Sequence, residues 1–326
     1  MAGPSTAERF DQLATTTLNV YAAKTLQDQL FQADPLLGVL YAKNKKERYL
    51  KGGRFIEVPL MYGGNETGMS YAGLEVLDTS TSEGMGNALF PWRMYNIAIT
   101  VAEEELLKNQ GDAAVIDLLK GKIRQAELSA RQDLTEMLYG DGTGNGGKDL
   151  LGLQAIVGSG DTLAGIDAST YTWWASQADT SSVAVATDWM RTMVNNVRGS
   201  GASGEIAGAG VGKVDFIVTT QTLFEAYEGL IEPHLRVQDT KMGQLGFDAL
   251  KFKGAEMTWS DECPAGAMYF LSTEYMSLKC HPDRDFKNTP FQTPTNQDGR
   301  ISHIRFMGNL TTSNRRRLGV ATNKTA

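Results

Sequence analysis

Residues 142–149 read G-T-G-N-G-G-K-D, one position short of the phosphate-binding pattern G-x-x-x-x-G-K-[ST]. In that pattern backbone N–H groups cradle phosphates, the lysine reaches them, and the closing hydroxyl holds magnesium. Asp149 stands where the hydroxyl belongs, and its carboxylate would repel the same phosphates. The order of elements is reversed as well. A phosphate loop leaves a strand and opens a helix, whereas this turn follows a long helical pattern. Gly142, Gly144 and Gly147 also satisfy G-x-G-x-x-G, again after a helix where a dinucleotide loop needs a strand. The stretch reads as a flexible reversal of the chain. A nucleotide-dependent enzyme using the turn from Gly142 to Lys148 stands as the rival.

Other groups that could do chemistry are scattered. Cys280 adjoins His281, but the remaining histidines are His234 and His303, and no CxxC or HxxxH spacing completes a zinc site. Cys263 and Cys280 read instead as buried thiols of a protein in a reducing compartment. GxSxG and HExxH are absent. The acidic pairs Asp261-Glu262 and Asp283/Asp285 are what chance supplies among 38 carboxylates. Trp173-Trp174 suits core or interface packing better than stacking on a sugar or base. Arg315, Arg316 and Arg317 suit salt bridges or carbonyl capping better than contact with DNA. No catalytic, cofactor-binding or metal-ligating residue is expected, and no cofactor.

Composition narrows the class. The chain has 326 residues, 41% hydrophobic and 21% charged, as an ordinary globular protein does. Its net charge of -7 argues against a binder that neutralises nucleic-acid phosphates. No run approaches the roughly 18 to 20 apolar residues of a membrane span, so no membrane partner is expected. MAGPSTAERFDQL lacks a basic segment followed by an apolar one, so no secretory signal is expected.

The elements that position these residues follow from periodicity. Residues 1–42 look like an arm with short helical pieces, punctuated by Leu26, Leu30, Leu37 and Leu40 and broken at Asp34-Pro35. Ile56, Val58 and Leu60 recur every second residue, the signature of a strand, and Pro59 confines it to an edge. A second strand-like run covers 94–101. The thirty-odd residues between are rich in Gly, Ser and Thr, which suggests a long two-stranded excursion that needs another surface to lie on. Glu103, Glu104 and Glu105 open a helix. Gly111 bends or interrupts it, and Ile116, Leu119, Ile123, Ala126, Ala130, Leu134 and Met137 form its apolar stripe. Lys120, Arg124, Glu127 and Arg131 make a solvated or interface face, and Gly140 caps the end.

The second half mixes helix and strand. A helix opened by Thr187 or Asp188 buries Trp189, Met190, Met193, Val194 and Val197 and closes at Gly199. Residues 199–212 read as a mobile loop and 214–218 as a buried strand. A helix capped by Thr219 or Thr220 turns Leu223, Tyr227, Leu230 and Ile231 inward. Strand-like runs at 249–259, 267–272 and 275–278 follow, with a Pro264-Ala265-Gly266 turn, and 301–307 ends the β content.

Taken in order, GRFIEVPL, FPWRMYNIAITVAEEELL, R-x-D-x-x-x-x-x-Y-G-D-G-T-G, DLLGLQAI, KFKGAEMTWSDECPAGAMYFLSTEYMSL and NLTTSNRRRLGV span nearly the whole chain. This succession resembles the major capsid proteins of tailed bacteriophages, the α+β Hong Kong 97-type capsid fold that encapsulins also use. The resemblance implies an N-terminal arm (1–42), an extended β-loop over a neighbouring subunit (43–101) and a peripheral domain with a long spine helix (102–155). It further implies an axial domain (156–298) and a C-terminal return to the peripheral domain (299–326).

The implied function is the icosahedral head shell that encloses a tailed phage's double-stranded DNA. The chain would self-assemble as pentamers and hexamers, without catalysis, in the virion and, during assembly, in the host bacterial cytoplasm. A separate scaffolding protein is expected, since no long coiled segment precedes the arm, together with a portal, decoration proteins and loosely held DNA. No covalent crosslink can be placed on this sequence. An encapsulin-type nanocompartment is the alternative within the same fold.

Overall fold

The computed structural model describes residues 34–43, 46–48, 53–65, 67–81, 83–108, 112–199, 213–231, 250–295 and 298–326. Helix α1 (Pro35–Ala42) is followed by strands β1 (Lys46–Arg48), β2 (Phe55–Met61), β3 (Met85–Pro91) and β4 (Arg93–Ala102), then helices α2 (Glu103–Lys108) and α3 (Asp112–Tyr139). Next come α4 (Leu153–Ile156), β5 (Thr162–Leu163), β6 (Ile166–Asp167), β7 (Gln177–Asp179) and α5 (Thr187–Val197). Strand β8 (Phe216–Thr219), α6 (Gln221–Ile231), β9 (Leu250–Phe252), β10 (Ala255–Trp259), β11 (Met268–Leu271) and β12 (Met276–Cys280) lead to β13 (Lys287–Asn288), β14 (Gly299–Thr312) and β15 (Gly319–Ala321). Two compact units share this chain. The described residues within 1–52, 92–153 and 278–310 make the first, and those within 53–91, 154–277 and 311–326 the second.

The first unit is built on a five-stranded sheet in the order β1-β12-β14-β13, with β4 also on β14. β4 and β14 run antiparallel from Gly299↔Ala102 to Gly308↔Arg93. Alternation puts Ile99 and Val101 with Ser302, Ile304 and Phe306 on the buried side. Helix α3, 28 residues and so about 42 Å long, lies against β4. Ile123, Ala126, Ala130, Leu134 and Leu138 form its buried stripe, as the three-and-four spacing requires. The Tyr95 hydroxyl donates to Asp133 at 2.8 Å, fixing strand to helix. Asp34-Pro35 opens α1 where a break is expected. Asp34 caps it by accepting the Leu37 N–H at 3.2 Å, and Pro35 needs no N–H at the first turn. The same carboxylate accepts the Tyr139 hydroxyl at 3.1 Å, tying α1 to the end of α3.

The second unit holds a six-stranded mixed sheet, β7-β15-β11-β8-β10-β9. Every residue of its central strands β8 and β11 is buried, which explains their unbroken apolar runs. Met190, Met193, Val194 and Val197 of α5 and Leu223, Phe224 and Tyr227 of α6 complete one core with Ile217, Met257, Met268 and Phe270. No helix among the described residues is long and apolar enough to cross a membrane.

Several expectations are corrected. The partner of the Ile56-Val58-Leu60 strand is β3, not the 94–101 run, which pairs with β14 instead. Gly86 and Asn87 disguise β3 in the sequence, although Ala88 and Phe90 alternate inward. Within the run expected at 249–259, residues 250–259 form a hairpin whose turn places Lys253 and Gly254 at positive φ. Leu230 is 42% exposed, because α6 turns that position away from the core that Tyr227 fills. The N-cap of α5 is Ala186, with no side-chain bond. β15 follows 301–307, so the β content continues. Residues 1–33, Gly111, the loop at 200–212 and the side chains of Ile116, Leu119, Lys120 and Ile231 lie outside the described residues.

Candidate functional site

The glycine-rich turn after α3 is a folded joint. Asp141 accepts both the Thr143 N–H (2.9 Å) and its hydroxyl (2.8 Å), and these bonds hold its carboxyl below the usual range. Gly142, Gly146 and Gly147 take positive φ, and so does Asn145, so no helix N-terminus forms behind them. The Asp149 carboxylate sits beside Gly144 and accepts the Asn145 side-chain amide at 3.0 Å. An anion already fills the space that a bound phosphate would need. Lys148 points to solvent, and Arg93 donates to the Gly147 carbonyl. Asn309 then accepts the Leu151 N–H at 2.9 Å. A Cβ on Gly152 would lie 2.7 Å from the Leu138 carbonyl and closer still to those of Met137 and Gly140. Only glycine lets the chain turn back across the helix end there.

The arginine cluster is structural at two of its three positions. Arg315 is 0% exposed and donates to the carbonyls of Ile156 (2.7 Å), Ala155 (3.2 Å) and Asp161 (3.2 Å) and to both Asp161 carboxylate oxygens at 2.8 Å. Arg317 is buried as well and donates to the Val197 carbonyl at 3.2 Å. Cys263 and Cys280 are buried, and no cluster of three metal-ligating side chains occurs among the described residues.

One group departs from the solvated or interface face expected on α3. Glu127 is 3% exposed, and neither carboxylate oxygen has a hydrogen-bond partner among the described residues. Burial pushes its carboxyl up to about 7, with Arg124 opposing the rise. No local signal in the sequence distinguishes it from Arg124 on the same face, which is exposed.

The excursion carries the surface that most needs explaining. β2 and β3 pair over seven residues, from Phe55↔Pro91 to Met61↔Met85. One face, Ile56, Val58, Leu60, Ala88 and Phe90, is buried. Leu89 donates its N–H to the Ala164 carbonyl at 3.0 Å, and Tyr62 stacks on Trp173. Trp173-Trp174 therefore packs, with Trp174 1% exposed and its indole N–H on the Leu163 carbonyl at 3.2 Å. Nothing local in the sequence joins Tyr62 to Trp173. The ladder ends where Gly63 and Gly84 cross so closely that a Cβ on Gly84 would lie 2.6 Å from the Gly63 carbonyl.

Beyond that crossing the chain is exposed and apolar. Among the described residues, nine of the fourteen exposed large hydrophobic ones lie between 61 and 89: Met61, Tyr62, Met69, Tyr71, Leu74, Val76, Leu77, Met85 and Leu89. Leu74 and Val76 are 103% and 91% exposed. Burying such a set would release roughly 10 kcal/mol gross before the costs of association. So concentrated an apolar surface is larger than scattered exposed side chains account for.

No family model matches this sequence, and no curated protein matches it. Solved structures do. The chain is similar to the cyanophage A-1(L) capsid asymmetric unit, at 16% identity over 90% of this chain and 93% of that one, with a TM-score of 0.65. It is similar to the capsid of a native GTA particle, at 9% identity over 87% and 89%, with a TM-score of 0.55. It is also similar to the holo-SrpI encapsulin complex from Synechococcus elongatus PCC 7942, at 13% identity over 74% and 76%, with a TM-score of 0.50. The chain has the Hong Kong 97-type capsid fold.

Proposed function

We propose that this chain is the major capsid subunit of a tailed bacteriophage. It assembles with copies of itself, as pentamers and hexamers, into the icosahedral head shell around double-stranded DNA. The observation that carries this reading is the concentration of exposed apolar side chains on the 61–89 excursion, which a neighbouring subunit must cover. The shared fold supports it from outside the chain. The role is architectural and needs no catalytic group.

The division into arm (1–42), extended loop (43–101), peripheral domain (102–155), axial domain (156–298) and return (299–326) belongs to this proposal. So do a separate scaffolding protein, a portal, decoration proteins, and assembly in the host bacterial cytoplasm before residence in the virion. A net charge of -7 suits loose contact with packaged DNA, since a strongly binding wall would hold the duplex in place.

The encapsulin likeness supports a second reading, a nanocompartment around a cargo enzyme. Particles purified from the native source separate the two. Copurifying DNA and portal protein support the capsid, and a peptide-tagged enzyme inside supports the compartment. For the shared claim, the purified chain should sediment as a large homogeneous particle. A monomer that persists at high concentration with scaffolding protein supplied would contradict both.

A further inference from the structure

The described methionines include two extremes. Met190, Met193, Met257 and Met268 lie in the core of the second unit, at most 4% exposed. Met61 and Met85 are 73% and 80% exposed, and they face each other as the last pair of the β2–β3 ladder. Antiparallel pairs alternate between those that exchange two hydrogen bonds and those that exchange none. Tyr62 donates its N–H to the Gly84 carbonyl at 2.8 Å, which makes the adjoining Met61–Met85 pair one of the second kind. Pro59, opposite Asn87, falls in the same class, where its missing N–H is not needed. Side chains come closest at such pairs, with Cα atoms about 4.5 Å apart. The two thioethers therefore stand side by side on the outward face, in a row with Glu57, Pro59, Asn87 and Leu89. The Tyr62 ring belongs to the opposite face, against Trp173.

A second methionine pair gives the contrast. Met94 faces Met307 across β4 and β14. There Arg284 donates to the Met94 sulfur at 3.6 Å and engages the lone pair that oxidation needs. At Met61 and Met85 the lone pairs are open to an oxidant. A thioether sulfur attacks one oxygen of hydrogen peroxide, forming the S–O bond as the O–O bond breaks. The sulfur loses two electrons, and the departing oxygen takes up the proton and leaves as water. The product is a polar sulfoxide, which sulfoxide reductases return to the thioether as a dithiol closes to a disulfide and water leaves. Two sulfoxides at one close pair would place polar groups on an outward face that is otherwise apolar at both residues.

We propose that Met61 and Met85 are a peroxide-sensitive pair, whose oxidation to sulfoxides keeps the free subunit from assembling and whose reduction restores it. The inference rests on the shell reading and adds a chemical control over entry into the shell. Oxidation acts before assembly, because a shell covers the pair.

The test treats the full-length subunit with dilute hydrogen peroxide before assembly. Peptide mass spectrometry maps the added oxygens, sedimentation and electron microscopy score particles, and circular dichroism checks folding. Met61 and Met85 should take up oxygen about tenfold faster than Met94 or the four core methionines. Particle yield should fall by about tenfold or more with the fold intact, and sulfoxide reductases for both epimers should restore most of it. Met61→Leu with Met85→Leu conserves apolar volume and should assemble alike with and without peroxide. Undiminished assembly of wild type carrying both sulfoxides would overturn the proposal, as would a double variant as sensitive as the wild type. Should the double variant not fold, the reductases decide: a yield that stays low once both residues are reduced overturns it. An untreated wild type that never assembles rejects the shell reading beneath, whereas particles that form regardless of the pair's oxidation reject only this control.

Discussion

Tyr62 lies flat on Trp173, with ring centroids 4.7 Å apart and planes within 10° of parallel. Trp173 in turn meets the edge of the buried Trp174 at 5.8 Å. The residue that follows the excursion's paired stem is thereby fastened to its own unit, just before the exposed tip begins. An anchored stem with an unburied tip is the arrangement a docking arm needs.

Trp173→Ala should loosen that stem. Stacked aromatic pairs contribute about 1 kcal/mol beyond their area, so global stability should fall by roughly 1–2 kcal/mol. Amide exchange should quicken over 55–62 and 85–91 more than in the sheet centred on β8. Unchanged exchange across the stem would mean that the stack does not hold it.

Arg315 joins the tail to residues 155–161 through five donated hydrogen bonds. Arg315→Leu leaves those carbonyls and Asp161 without their donor, at a cost of about 3 kcal/mol or more in denaturant unfolding. Arg315→Lys should recover little, because an ammonium cannot reproduce the planar fork. If Arg315→Leu unfolded like the wild type and instead lost affinity for DNA, the nucleic-acid role would have to be restored.

Glu127 makes stability depend on pH. Its carboxyl titrates at about 7 in the folded chain against 4.5 when unperturbed. Between those values the unfolded chain releases the proton while the folded chain keeps it, so stability falls as pH rises from 4.5 to 7 and then levels off. The loss is about 3 kcal/mol. Glu127→Gln should leave stability near pH 4.5 unchanged, raise it at pH 8 and flatten the slope between. Urea unfolding at several pH values checks this, and an equal slope in the variant would contradict it.

The turn after α3 should behave as a joint. Lys148→Ala should change stability by less than about 0.5 kcal/mol and leave assembly intact, since the side chain points to solvent. Gly152→Ala forces a Cβ against three carbonyls and should cost about 2 kcal/mol or more. Nucleotide binding in calorimetry that Lys148→Ala abolished would reverse this assignment.

Much of this was legible because periodicity reports which face of an element is buried. Ile56, Val58 and Leu60, the stripe from Ile123 to Leu134, and Met190 to Val197 all follow from it. Periodicity does not report which partner covers that face. The β2–β3 pairing, β15 and the Tyr62–Trp173 stack depend on residues distant in sequence, so composition alone pointed to the wrong strand partner. Glu127 failed for a related reason. A charge on a helix reads as solvated until the surrounding packing is known. In the turn, the Asp149 side chain disqualified a phosphate cradle from sequence, whereas the clash that makes Gly152 obligatory needed coordinates.

Cryo-electron microscopy of particles assembled from the full chain tests the central claim most directly. The shell reading predicts hollow particles of icosahedral symmetry in which residues 62–84 of each copy are buried against a neighbour. Discrete monomers or dimers, or shells in which Leu74 and Val76 remain open to solvent, would contradict it.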